Sequence, residues 1–320
     1  MLFLICWDIE NMSEKSTILG KLKGSTVIVE EGCFIGEDVE ITSNYIHIKK
    51  YTKLNSLKAH CPDKFIIGEC GYIGNKCNIK CRSFEAGQYL WMTGDVEVGR
   101  GGCDGPNSYV KIGNYCMVID GAVINPSEAV TIGDEVAIGS GANIWTHGSF
   151  LDILDGFPAN FAPVNIGSHV WIPSKCTILP GVDIGDNVVI SLGSVVNKNL
   201  PSGCLAAGVP AKIIKTNVYP KKLTKEQRSK TAIEVISYWY SYLVPYKGIK
   251  NITSLGYDNE KEIVLLNQNE GNITEYNLDN RTILGYNNDV SEDLRDFMRR
   301  RGIKIFTGKP FKSIVPTIFK

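Results

Sequence analysis

Four histidines, ten cysteines and 34 carboxylates are the groups in this 320-residue chain that could move a proton, hold a metal or attack a carbonyl. An imidazole titrates near neutrality, so it can take a proton and return it at physiological pH. His47 stands beside an irregular strand, His60 in an expected loop, and His169 on an expected outward face between Ser168 and Val170. His147 differs, because it stands at the root of an irregular stretch, 145–164, in an otherwise regular chain. Long loops inside regular architectures are usually functional. His147 is therefore the candidate base.

The cysteines point elsewhere. No CxxC pair exists, and Cys33, Cys77, Cys116 and Cys176 each lie four residues after an aliphatic residue: Val29, Ile73, Ile112 and Ile172. That position takes Ala, Val or Ser elsewhere, and a reduced thiol behaves as a small hydrophobe. These four are expected to fill core. The remaining six, Cys6, Cys61, Cys70, Cys81, Cys103 and Cys204, have no spacing that favours chemistry, which suits a reducing compartment and no metal. Besides His147, His169 is the only other late histidine, so a trimeric metal site is disfavoured.

The element that must position His147 is a repeat. An aliphatic residue falls on every sixth position through Ile112, Val118 and Ile124, shifts by two, and resumes at Ile132, Ile138 and Ile144. After the irregular stretch it continues through Ile166, Ile172, Ile178, Ile184, Ile190 and Val196. A six-residue unit of this kind predicts a parallel β-helix, three units to a triangular coil. Earlier coils are less regular: Val29, Ile35 and Ile41; Ile67, Ile73 and Ile79; Phe84, Leu90 and Val96. Residues 46–66 lose the phase and are expected to loop out in part, and the Gly-rich 99–109 is a second interruption. Seven clear coils at roughly 4.8 Å each predict a prism about 35 Å long.

The segment 166–215 resembles the hexapeptide-repeat acyltransferases, which fold as left-handed parallel β-helices. The resemblance rests on Val170-Trp171-Ile172, Pro180-Gly181-Val182, Gly193-Ser194-Val195-Val196 and Ala207-Gly208-Val209-Pro210-Ala211-Lys212, and it covers about residues 25–216. It implies a homotrimer with acyl-CoA in a groove between neighbouring prisms. It further implies His147 as base and the Ser174 backbone N–H as oxyanion donor. Trp171, Ser174, Leu192, Gly193, Lys198, Pro210 and Lys212 would lie along the coenzyme, with the two lysines near its phosphates. The chemistry is attack of a hydroxyl or amine on a thioester, with no metal and no cofactor beyond the acyl donor. For the acceptor, the carboxylates of the earlier coils, Glu85, Asp95, Glu97 and Asp120, are candidates to hold a sugar hydroxyl or amine. Any of the four could act as base in place of His147, with Asp95 and Asp120 standing out because Trp91 or Val118 and Ile119 flank them.

Zero formal net charge disfavours a polyanion binder. The apolar Met1–Cys6 is followed at once by Asp8 and Glu10; it is too short for a membrane span and is expected to be a buried first strand in a cytoplasmic protein. The expected organisation is a β-helix over 1–216 with the excursion at 145–164, then a small α/β or α+β domain over 217–320. There a capping box at Thr224–Gln227 opens a helix that Pro245 ends; strands follow at 261–267, 272–276 and 281–286, then a helix near 291–301 and a last strand at 303–306. Arg299–Arg301 at that helix's end are expected to answer its macrodipole. This layout resembles some nucleotide-amino-sugar N-acyltransferases, such as that of anthrose biosynthesis. The expected reaction is therefore acyl transfer from acyl-CoA to the amine of a nucleotide-linked sugar, with the second domain shaping the acceptor site. The alternatives are O-acylation of a sugar hydroxyl or of another small acceptor such as an antibiotic, and a non-enzymatic β-helix scaffold.

Overall fold

The computed structural model describes residues 15–316, so the expected first strand at Met1–Cys6 lies outside the described residues. The chain divides into two compact units between Lys221 and Lys222.

The first unit is a parallel β-solenoid of three faces. On the first face, Thr17, Phe34, Lys53, Tyr72, Trp91, Met117, Ala137, Trp171, Val189 and Leu205 stack in register as ten successive rungs. At about 4.8 Å per rung the stack is about 43 Å long, longer than the seven coils predicted. Three rungs make the difference: Thr17 and Leu205 at the two ends, and Lys53 within the stretch expected to lose the repeat. Residues 46–66 do not loop out. Most belong to two 15-residue strands, Phe34–Ile48 and Lys53–Ile67, that run side by side around their corners, with register shifts at Ile35/Asp38 and Ser43/Tyr45. Leu57, Ala59 and Cys61 alternate inward there, a period of two that hides the six-residue phase. His60, expected in a loop, is on the outward side of the second of these strands.

The aliphatic repeat builds the core, with one correction: the coil expected at Phe84, Leu90 and Val96 runs in register through Ala86, Met92 and Val98, two residues on, while the three expected side chains are buried beside them. Ile79, Val98, Ile124, Ile144, Ile178 and Val196 line the second face from inside, and Ile67, Ala86, Ile112, Ile132, Ile166 and Ile184 the third. Cys33, Cys77, Cys116 and Cys176 are buried in the same core. Each buried Ile or Val side chain is worth roughly 1.5–3 kcal/mol. Close stacking also selects glycine: a Cβ on Gly139 would lie 2.4 Å from the Ser174 nitrogen, so this corner can hold no side chain at the observed spacing. At the far end, Leu205–Gly208 turns back to pair antiparallel with Ala211–Lys215 and covers the last edge of the first face.

The second unit packs helices against a four-stranded antiparallel meander, Ile252–Asp258, Ile263–Gln268, Ile273–Asn277 and Thr282–Gly285. Thr224 and Gln227 form the expected capping box on helix Lys225–Tyr238. Pro245 does not end that helix. The chain passes through a π turn, Trp239–Leu243, into a short helix, Val244–Tyr246, where proline sits in the first turn and its missing N–H costs nothing. Residues 303–306 are no strand either: the Ile305 carbonyl accepts from Arg295 Nη1 at 3.1 Å, a side-chain partner in place of a ladder. Arg299 and Arg300 pair with Asp296, and Arg301 lies over Phe297, so specific partners hold this basic turn beyond any dipole effect. No helix among the described residues is long and apolar enough to cross a membrane.

Candidate active site

The second face of the solenoid has two edges, and the chemistry-bearing residues divide between them. The exit edge follows the strands Glu97–Val98, Val123–Asn125 and Asn143–Trp145. Two excursions leave the solenoid from this edge, the Gly-rich loop 99–108 and the stretch 146–163, with Asn125-Pro126-Ser127 between them.

The larger excursion is a hairpin. His147–Gly148 pairs antiparallel with Asn160–Phe161, so His147 stands at its base opposite Phe161. Its imidazole is half-buried, stacks on the Phe161 ring at 5.7 Å, and meets Trp145 edge-on at 6.2 Å. The hairpin tip leaves Phe150 and Leu154 about fully exposed, at 96% and 89%. Beneath the base, buried Thr146 donates its hydroxyl to the Asn125 carbonyl at 2.7 Å and accepts from the Glu128 N–H at 2.9 Å.

Asn125 is the residue that the sequence did not single out. It is fully buried, and its Nδ2 donates to the carbonyls of Gly99, Arg100 and Gly101 at 2.6, 3.2 and 3.1 Å. Its Oδ1 accepts from the Ser127 N–H at 3.2 Å and lies 2.9 Å from His147 Nδ1. Ser127 donates its hydroxyl to the Gly102 carbonyl at 2.9 Å, tying the Gly-rich loop down beside the imidazole. Its signal in the sequence is the shift by two in the repeat between Ile124 and Ile132, which marks extra residues at this corner.

The entry edge carries most of the other candidates. A backbone ladder runs along it: Gly121 N–H to Gly94 carbonyl, Gly141 to Asp120, Lys175 to Ser140 and Gly193 to Ser174. Asp95, Asp120, Ser174, Leu192 and Gly193 therefore share one corner. Asp120 also accepts from the Gly94 N–H at 2.8 Å. Trp171 approaches this corner on the adjoining first face and is 54% exposed, while Leu192 is 70% exposed. The terminal hairpin reaches the same corner, because the Gly208 N–H bonds Ser194 Oγ at 3.1 Å; Pro210 and Lys212 are in that hairpin. Lys198 is not there, since it follows Val195–Val196 onto the exit edge. Glu97 stands mid-face within reach of Asn78, and Glu85 is on the third face, paired with Lys64 at 2.7 Å. The other histidines are placed apart: His47 is bound to Glu30 at 2.7 Å, and His169 lies 4.0 Å from Glu135.

Within one chain, then, the candidate base and the candidate oxyanion donor lie on opposite edges of one face, with the coenzyme candidates other than Lys198 beside the donor. No group of three or more His, Cys, Asp or Glu side chains among the described residues is placed to hold a metal. What the exit edge offers is a sheltered imidazole beside a glycine-lined loop, and what the entry edge offers is backbone amides beside exposed apolar surface.

Residues 163–198 match the family model described as bacterial transferase hexapeptide (six repeats). The chain is 36% identical over 110 residues to the galactoside O-acetyltransferase of Escherichia coli, covering 34% of this chain and 54% of that protein. It is 34% identical over 126 residues to YvoF of Bacillus subtilis, an acetyltransferase by assignment, covering 38% of this chain and 67% of that protein. The solved hexapeptide-repeat acetyltransferase of Vibrio cholerae, complexed with acetyl coenzyme A, is 25% identical; the likeness covers 45% of this chain and 69% of that one, at a TM-score of 0.32. The chain spans 54% to 63% of the length of the first curated relatives it matches.

Proposed function

Because the chain belongs to the hexapeptide-repeat transferases, we propose that it moves an acyl group from acyl-CoA to a sugar, with His147 as general base. The observation that carries this reading is the imidazole held at the hairpin base by Asn125 and Phe161. The imidazole takes the proton of the acceptor as its oxygen or nitrogen attacks the thioester carbon. The oxyanion that forms is met by a fixed backbone donor, for which the Ser174 N–H is the candidate. The C–S bond then breaks, and the imidazolium returns the proton to the leaving thiolate. Trp171, Leu192, Gly193, Pro210 and Lys212 supply the surface for the coenzyme arm and its phosphates.

The division between the two edges supports a site built by two copies. The exit edge of one prism, with His147, would face the entry edge of the next, with Ser174. A head-to-tail contact of this kind makes a ring where its rotation closes, and a closed trimer would carry three such sites. The exposed apolar tip at Phe150 and Leu154 suits burial against a second copy.

For the acceptor, two readings have an observation behind each. Asp95 and Asp120 share the corner of Ser174, where carboxylates would hold a sugar ammonium, as on a nucleotide-linked amino sugar. The likeness to a galactoside O-acetyltransferase favours a hydroxyl instead. Acetyl-CoA offered with a panel of galactosides, free amino sugars and nucleotide-linked amino sugars tests both. Acceptor-dependent release of coenzyme thiol is expected, and NMR of the product tells amide from ester. No acceptor-dependent release across the panel overturns the reading.

A further inference from the structure

We infer that Asn125 is a positioning residue that fixes the tautomer of His147, so that Nδ1 carries the proton and Nε2 is bare before any substrate arrives. This deepens the proposed function and rests on it for its catalytic meaning, though not for its structural content.

An asparagine side chain can usually be turned by half a rotation, exchanging oxygen for nitrogen, and only its partners decide between the two. Here three carbonyl oxygens, those of Gly99, Arg100 and Gly101, converge on one end. Carbonyls only accept, so the group they meet must be the amide nitrogen. The turned alternative would set an oxygen against three oxygens in a site without solvent exposure, a costly arrangement. The Ser127 N–H, which only donates, meets the other end and identifies it independently as Oδ1.

With the oxygen end fixed, the histidine follows. His147 Nδ1 lies 2.9 Å from Oδ1, an atom with no hydrogen to give. A bare Nδ1 would press lone pair against lone pair at hydrogen-bond distance. A protonated Nδ1 makes a good bond there instead. In the neutral ring the other nitrogen is then the acceptor, so Nε2 holds the free lone pair. Stacking on Phe161 keeps the ring in this plane. The proton of an attacking hydroxyl or amine would therefore go to Nε2. A neutral amide orients the ring in this way without the negative charge that a carboxylate partner would bring.

A long-range proton–nitrogen NMR correlation on 15N-labelled full-length protein, at a pH where the ring is neutral, reads the tautomer directly. Only four histidines contribute, and His147→Gln assigns the relevant pair of signals. The expected result is a predominantly Nδ1-protonated His147 in the parent protein. Asn125→Ala should move the population towards the Nε2-protonated form. Ser127→Ala, which also releases the Gly-rich loop but leaves Oδ1 in place, should not. An Nε2-protonated ring in the parent protein overturns the inference, as does an unchanged ring in Asn125→Ala. Should Asn125→Ala fail to fold, the parent spectrum decides alone. If acceptor-dependent transfer is found, Asn125→Ala should lower kcat on the order of 100-fold with little change in KM for acetyl-CoA. If no transfer is found while the tautomer is as stated, the functional reading falls and this one stands.

Discussion

Truncating His147 to alanine takes a proton acceptor from the hairpin base and little from the core, because the ring is half-buried outside the prism. The expected outcome is an unchanged melting temperature and turnover lower by about 100- to 10,000-fold. A loss below about tenfold would move the proton to Asp95, Glu97 or Asp120, or to the substrate itself. The thiols carry a second consequence at this scale. Burial pushes Cys33, Cys77 and Cys103 up from 9.0 to about 11. A thiol protonated more firmly when folded than unfolded stabilises the fold fully below the unfolded value, and that contribution is lost as pH rises through the folded one. Denaturant midpoints should thus be insensitive to these groups up to about pH 9 and fall between about pH 9 and 11. Replacing Cys77 by alanine should flatten that fall. A midpoint that is level across this window for the parent protein would contradict the shifts. The roles of these two residue types were unequally visible in the sequence. Cysteine spacing disclosed core positions because packing repeats with the coil. Asn125 disclosed nothing by type, since an asparagine at a strand end is ordinary, and its meaning lies in carbonyls 24 to 26 residues away.

The rungs are the element that converts spacing into position. Their six-residue period was legible from Ile112 onwards, where each face holds one inward aliphatic residue per coil. It was not legible over 46–66, because a long strand there carries inward side chains at every second residue within one face, at Leu57, Ala59 and Cys61, and breaks that alternation at its corners. The hairpin at 145–164 was visible as a break, but its antiparallel base, His147 against Phe161, is a tertiary pairing that no local pattern encodes. Gly139 tests how tightly the rungs fix the entry edge. A Cβ there would meet the Ser174 nitrogen at 2.4 Å and the Pro173 carbonyl carbon at 2.6 Å. Gly139→Ala must spread the rung, so stability should drop by about 1–3 kcal/mol, the usual cost of overpacking. Because the displaced atom is the candidate oxyanion donor, kcat should fall as well. Chemical denaturation together with single-turnover kinetics checks both, and an unaffected kcat would remove Ser174 from the proposed site.

At the scale of the whole molecule, the partition of the second face into two edges has a consequence for assemblies. If the working site joins the His147 edge of one copy to the Ser174 edge of another, two inactive variants can repair each other. His147→Ala removes the base and leaves the entry edge intact. Gly193→Trp fills the entry edge beside Ser174 and leaves His147 intact; Gly193 has a φ of 72° and open space around it, so the added ring projects outward at the cost of local strain. In assemblies refolded from an equal mixture, each site draws its base from one copy and its entry edge from the next. Random pairing then restores about a quarter of parental activity, since both halves must come from the intact side. Size-exclusion chromatography with light scattering should show the parent and the mixture as the same closed ring. Activity that stays at the level of the separate variants, in mixed assemblies of the expected size, would place base and oxyanion donor within one copy. That outcome would require His147 and Ser174 to approach across the face that separates them here, which the rigid stacking of Ile124, Ile144 and Ile178 opposes.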